Sequence, residues 1–166
     1  MRRLGAVLLL LAGCGEPKVV LTSDGGVLRA TGLKGSHLAS CDDSACGGAA
    51  NPPLGGDHCS STLACRKYTT AQSRCAWIHN LEHGHAVLAY NCPTGCSELV
   101  GKLEALFDSK QSKRLLVTPD PRLPTKVAAL VWGFGWQGDG FDAKAIDEVL
   151  SHQDEEAPEP GLGCSQ

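Results

Sequence analysis

Three histidines and one glutamate fall within seven residues of this sequence, in HNLEHGH at positions 79–85: His79, Glu82, His83 and His85. Neutral imidazole is the commonest metal ligand in proteins. On a helix, His79 and His83 would share one face and reach a single ion. On a strand they would stand about 13 Å apart, at about 3.3 Å per residue, and His83 and His85 would become the usable pair. Either geometry leaves one pair. His58, in a Pro/Gly-rich turn, is the candidate third ligand. The expected metal set is therefore His58, His79 and His83, with His85 as the alternative and Glu82 supporting the rings from behind. Nitrogen ligands with an open position suit zinc or copper. Met1 is the only methionine, which excludes a methionine-rich copper site.

The same string is also an H-x-x-E-H pattern, in which Glu82 would serve as the general base of a metal-dependent hydrolase. Gly84 follows His83 directly and an apolar run starts after His85, so a turn or strand is expected here, which speaks against that reading. A third reading is structural: His58, His79 and Glu82 hydrogen-bond a buried turn. No GxSxG elbow or Walker loop offers another chemistry. The chain reads as a binding or accessory module rather than an enzyme.

The residues that must position this cluster are punctuated by cysteine. Nine cysteines occur. Cys14 ends the run MRRLGAVLLLLAGC, in which Arg2 and Arg3 precede a short apolar stretch and small residues precede the cysteine. That is the layout of a lipoprotein signal. Residues 1–13 are the expected signal peptide, and Cys14 the expected diacylglycerol acceptor. The chain would be tethered to membrane by lipid, since the apolar stretch is too short to span a bilayer. Gly15, rather than an aspartate, follows, so the periplasmic face of the outer membrane is expected in preference to the inner membrane. The net charge of −3, with no basic stripe, excludes nucleic acid as a partner.

The other eight cysteines are Cys41, Cys46, Cys59, Cys65, Cys75, Cys92, Cys96 and Cys164. An even count in an exported chain predicts disulfides, four in all, with at least three inside residues 41–96. The C-x2-C pairs of structural zinc sites are missing. Cys92-Pro-Thr-Gly-Cys96 has C-x3-C spacing and is expected to be a structural bridge rather than a redox pair.

Residues 14–40 are Gly-rich and polar, a tether with a hairpin from Lys18–Thr22 and Val27–Thr31 around a Ser-Asp-Gly-Gly turn. A single domain is expected over 41–160, with a tail at 161–166. Residues 41–76 show almost no apolar periodicity and read as an irregular, disulfide-stapled region. Regular structure is expected from His85: a strand at Ala86–Tyr90, a helix over SELVGKLEALFDSK capped by Ser97, strands at Arg114–Thr118 and Lys126–Trp132, and a helix opened by Asp142. Trp132, Phe134 and Trp136, interleaved with glycine, read as a sheet edge beside a mobile turn, with an aromatic ligand shelf as the alternative. The fold class is α+β: a small antiparallel or mixed sheet with two helices on one face and a disulfide-rich irregular region. A ferredoxin-like plait is one realisation.

Four segments carry a family resemblance. Asn51-Pro52-Pro53-x-x-Gly56-x-His58 is followed by HNLEHG at 79–84, Trp132-Gly133 and Pro158-Glu159. In that order they resemble the bacterial domain-of-unknown-function family 3105, over roughly residues 50–160. The resemblance implies an exported, lipid-anchored or membrane-tethered domain and carries no established activity. Between the first two motifs this chain has the cysteine-rich stretch CSSTLACRKYTTAQSRC instead of the aromatic and glycine residues of the family pattern.

Overall fold

The structure is a computed structural model that describes residues 22–24, 26–48, 50–110 and 114–164. Cys14 and the expected signal peptide at residues 1–13 lie outside the described residues. The elements in chain order are β1 (Thr22–Asp24), β2 (Val27–Arg29), α1 (Arg74–Glu82), β3 (Ala86–Tyr90), α2 (Ser97–Ser109), β4 (Leu115–Pro119), β5 (Val127–Val131), β6 (Phe134–Gly138) and α3 (Ala143–Ser151). The strands form one mixed sheet in the order β1-β2-β6-β5-β3-β4. Only β3 and β4 pair in parallel, joined through α2; the other neighbours are antiparallel. The α+β expectation stands. An N-terminal hairpin pairs Thr22–Asp24 with Val27–Arg29 and adds β2 to β6. Its first strand includes Ser23 and Asp24 of the expected turn, and residues 18–21 of the expected strand lie outside the described residues.

The central strands are apolar at nearly every position because both faces of the sheet are covered. Ala86 and Leu88, Leu115 and Val117, and Val127, Ala129 and Val131 pack on one side against Leu99 and Leu103 of α2 and Ile146, Val149 and Leu150 of α3. Val87, Ala89, Leu116, Ala128 and Leu130 pack on the other side against Trp77, Ile78 and Leu81 of α1. The backbone of Arg66 and Tyr68 covers the outer edge of β4, through Tyr68 N–H to Val117 O at 2.8 Å and Val117 N–H to Arg66 O at 3.0 Å. That removes an exposed edge.

Four details correct the sequence reading. First, the plait is not formed: from residue 86 the order is strand, helix, three strands, helix, and β3 and β4 are direct neighbours. Second, Phe134–Gly138 is a strand inside the sheet, not an edge or a shelf. Trp132, Phe134 and Trp136 are all buried, and Phe134 stacks on the His152 ring at 4.0 Å. Third, α2 starts at Ser97 itself; Cys96 is its N-cap and makes no side-chain capping bond. Asp142 does cap α3, accepting from Ala145 N–H at 3.0 Å. Fourth, after the irregular region regular structure resumes at Arg74 with helix α1, not at His85.

Helix α1 lacks an amphipathic stripe because it has no solvent face: all nine of its residues are buried. Asp43, from a distant loop, accepts from Cys75 N–H at 3.3 Å and Ser73 Oγ at 2.5 Å, which closes the first turn. At the other end Gly84 N–H reaches Leu81 O at 2.9 Å and His85 N–H reaches Asn80 O at 2.9 Å. With Gly84 at φ +75°, this is a Schellman stop that leads directly into β3.

All eight described cysteines are paired: Cys41–Cys59, Cys46–Cys75, Cys65–Cys164 and Cys92–Cys96. Three of the bridges lie within residues 41–96, as expected.

Candidate metal site

Four side chains from three separate segments meet at one point. Glu82, in the last turn of α1, places Oε2 at 2.9 Å from His58 Nε2, 3.8 Å from His79 Nε2 and 3.8 Å from His37 Nε2. All four ligand atoms lie within 4.8 Å of one another. His79 and Glu82 are one turn apart on α1. His58 arrives on the Pro/Gly loop, where its backbone N–H bonds Ser36 O at 3.1 Å and its carbonyl accepts from Leu38 N–H at 2.8 Å. That pairing lays the segment carrying His37 alongside the segment carrying His58. The loop returns closely on itself: a side chain at Gly56 would meet the Gly47 backbone at 2.6 Å, and Gly56 has φ +120°.

The rings form a continuous stack of contacts. Centroid distances are 5.0 Å for His37–His58, 4.9 Å for His58–His79, 4.8 Å for His37–His79 and 4.7 Å for His79–His83. His58 and Glu82 are buried, whereas the His37 side chain is 53% exposed and forms the solvent edge of the cluster.

Hydrogen bonds fix which ring nitrogens are available. His58 Nδ1 donates to Gly56 O at 2.8 Å. With a single proton, on Nδ1, the ring points a bare lone pair at the Glu82 carboxylate. His58 Nε2 and Glu82 Oε2 are close, but their angle is not that of a hydrogen bond, and both are buried without a hydrogen-bond partner. Lone pair against carboxylate is repulsive unless a cation lies between them or a second proton sits on the ring. His83 Nδ1 donates to Glu159 O at 3.1 Å, so its bare Nε2 accepts from His79 Nε2–H at 2.8 Å. Burial first, then the neighbouring imidazoles of His83, His58 and His37, push the His79 pKa down to about 4. His79 is thus a neutral ring at any ordinary pH, and an ion bound at its Nε2 would displace the proton directed at His83.

The sequence-predicted residues separate cleanly. His58 and His79 come together as expected. His83 sits against His79 but outside the four-residue set. Glu82, expected behind the rings, is at the centre of the set. His85 faces elsewhere: Asn80 Nδ2 donates to its Nδ1 at 2.8 Å and its Nε2 donates to Leu162 O at 2.8 Å. Burial lowers its pKa, and both ring nitrogens are used in holding the chain together. Asn80 also clasps the Leu63 backbone, accepting its N–H and donating to its carbonyl, each at 2.8 Å. His37 was missed: it belongs to no motif, and only its pairing with the His58 strand segment brings it in.

A tetrahedral ion with bonds of about 2.0–2.1 Å separates its ligand atoms by about 3.4 Å. The distances of 2.9 to 3.8 Å around Glu82 Oε2 bracket that value. The residues fit a borderline divalent ion held by three imidazoles and one carboxylate. Imidazole favours zinc, copper, iron and nickel, and the carboxylate supplies compensating charge.

A family model described as protein of unknown function (DUF3105) matches residues 40–166, and the chain belongs to that family. No curated protein and no solved structure matches it. Among the described residues, no helix is long and apolar enough to cross a membrane.

Proposed function

We propose that this member of the DUF3105 family is a lipid-anchored envelope protein whose folded part binds a transition-metal ion through His37, His58, His79 and Glu82. One observation carries the metal reading: a single buried carboxylate oxygen faces three imidazole Nε2 atoms, and two of the four ligand atoms lack any hydrogen-bond partner. Zinc is the ion this donor set favours, with copper second. The exposed ring of His37 supplies the route for entry. Glu159, through its carbonyl on His83 Nδ1, turns the bare His83 Nε2 toward His79 Nε2–H, and an ion bound at His79 Nε2 would displace that proton.

The hydrolase alternative needs Glu82 free of the ion to take a proton. Its Oε2 is at the centre of the nitrogen set, which supports a ligand role instead. The anchoring reading rests on the lipobox at Cys14.

Metal-stripped protein titrated with zinc and with copper should bind one ion per chain, and a His58→Ala/His79→Ala variant should lose that binding. Unchanged affinity in the variant removes the proposal. Elemental analysis of protein isolated from native membranes identifies the ion. A Cys14→Ser variant should move from the membrane to the soluble fraction; if it stays with the membrane, lipid anchoring is wrong.

A further inference from the structure

The face of the sheet opposite α1 carries a second chemical feature. Cys92 and Cys96 pack against the core beneath α2 and α3, and they sit on the loop between β3 and α2. We propose that this pair is a thiol–disulfide exchange site that oxidises cysteine pairs in polypeptides. The proposal is independent of the metal reading.

Placement is the first argument. β3-α2-β4 is the parallel strand-helix-strand unit of the sheet, and the pair lies beyond the carboxyl end of β3. That is where open α/β sheets bind ligands and present reactive groups. Spacing alone pointed the other way, because C-x3-C is not the C-x-x-C of known redox motifs; the position in the fold is what the sequence did not show.

The second argument is the position of Cys96. It is the N-cap of a 13-residue helix, and its side chain makes no capping hydrogen bond. When the bridge opens, a Cys96 thiolate faces the free N–H groups and positive end of the helix, which stabilise it. The more stable thiolate is the better leaving group, so attack falls on Cys92.

The third argument is structural need. Cys92–Cys96 spans a sequence separation of 4, against 18, 29 and 99 for the other bridges. It constrains the unfolded chain least, so opening it costs the fold least. It is also accessible. Both cysteines are only half-buried, and the space above Gly95 is open. A groove of about 320 Å³ lined by Leu99, Lys102, Lys126, Asp139 and Phe141 runs beside Cys96. Its mixture of apolar and charged side chains suits an extended polypeptide.

The exchange balances without a cofactor. A substrate thiolate attacks Cys92 Sγ; the new S–S bond forms as the Cys92–Cys96 bond breaks, and Cys96 leaves as thiolate. The second substrate thiol gives its proton to solvent and attacks the substrate sulfur of the mixed disulfide, releasing Cys92. Two electrons pass from the substrate dithiol to the cysteine pair, and the substrate leaves as a disulfide.

The test uses the full chain in glutathione buffers of graded potential, with differential alkylation and mass spectrometry. Cys92 and Cys96 should become alkylatable together while the other six remain bridged and the circular dichroism is unchanged. Reduced, unfolded ribonuclease serves as the probe substrate, and its oxidation should accelerate at least tenfold. A Cys96→Ser variant should accumulate a mixed disulfide through Cys92, and the His58→Ala/His79→Ala variant should exchange as the wild type does. A pair that opens only when the whole protein unfolds, or a Cys96→Ser variant that traps nothing, overturns the proposal.

Discussion

Acidification of the metal-free protein should expose the strain in the histidine cluster through His79. Its folded-state pKa is held at about 4, against 6.5 for the unconstrained ring, chiefly by burial. In the unfolded chain His79 takes up a proton below pH 6.5, whereas in the fold it resists until about pH 4. Between those values the unfolded state binds more protons, so stability falls as pH drops through the window and is flat on either side of it. At about 1.4 kcal/mol per unit the ceiling is about 3.4 kcal/mol. The His79 side chain is 7% exposed, so solvent screening is small, but three neighbouring rings can reorganise. We expect about 2 kcal/mol. The assay is urea unfolding in chelator, with disulfides intact, at pH 7.5, 6, 5 and 4.5, for wild type and His79→Gln. The wild type should lose about 2 kcal/mol more than the variant across that range. Equal slopes would refute the reasoning, because they would mean that His79 titrates alike folded and unfolded. Zinc at a hundredfold excess over its dissociation constant should add about 2.7 kcal/mol at pH 7.5, and less as protons compete for the ligands.

Three further outcomes follow from other contacts. Glu82→Gln removes the charge that faces three imidazoles and should weaken zinc binding by about 100-fold or more in a chelator competition. Asp120→Ala strands the buried Arg74 guanidinium, whose Nε donates to Asp120 Oδ2 at 2.8 Å, and should cost about 3–5 kcal/mol in urea unfolding. Cys65→Ala/Cys164→Ala opens a loop with a sequence separation of 99 and should cost up to about 4.7 kcal/mol by chain entropy, read as a fall in melting temperature.

The elements that could be read from sequence are those with one wet face or clear punctuation. α2 and α3 show helical spacing because only Leu99 and Leu103, or Ile146, Val149 and Leu150, are buried. β3 and β5 are short apolar runs closed by turns. α1 was illegible because burial on every side erased its period. Gly84, which argued against a helix there, is in fact the residue that ends one. β6 was hidden because the interleaved glycines of FGWQG read as a turn, although Phe134 and Trp136 alternate onto one face; Gly135 is needed where Leu54 presses on the strand, with a side chain there meeting it at 2.5 Å. The site divides in the same way. His58 and His79 stand in motifs. His37 stands in none, because a bridge between two loop segments is a tertiary fact that leaves no local pattern.

The disulfides explain how so irregular a region can hold the four candidate ligands. His37 precedes Cys41 and His58 precedes Cys59, and the bond between those cysteines ties the two segments together beside the site. Cys46–Cys75 ties the same loop to the first turn of α1, which supplies His79 and Glu82. Cys65–Cys164 holds the tail, from which Glu159 N–H bonds Glu82 O at 3.1 Å and Glu159 O receives the His83 proton. Three of the four bridges therefore surround the cluster, and each joins a different supplier of ligand or support to another. A metal site needs its donors held within a fraction of an ångström before the ion arrives. Elsewhere in the chain, packed strands and helices provide that rigidity. Around His58, where the apolar core ends, covalent bonds provide it. Cys92–Cys96 takes no part in that scaffold, and it is therefore the bridge that can open and close without disturbing the histidines.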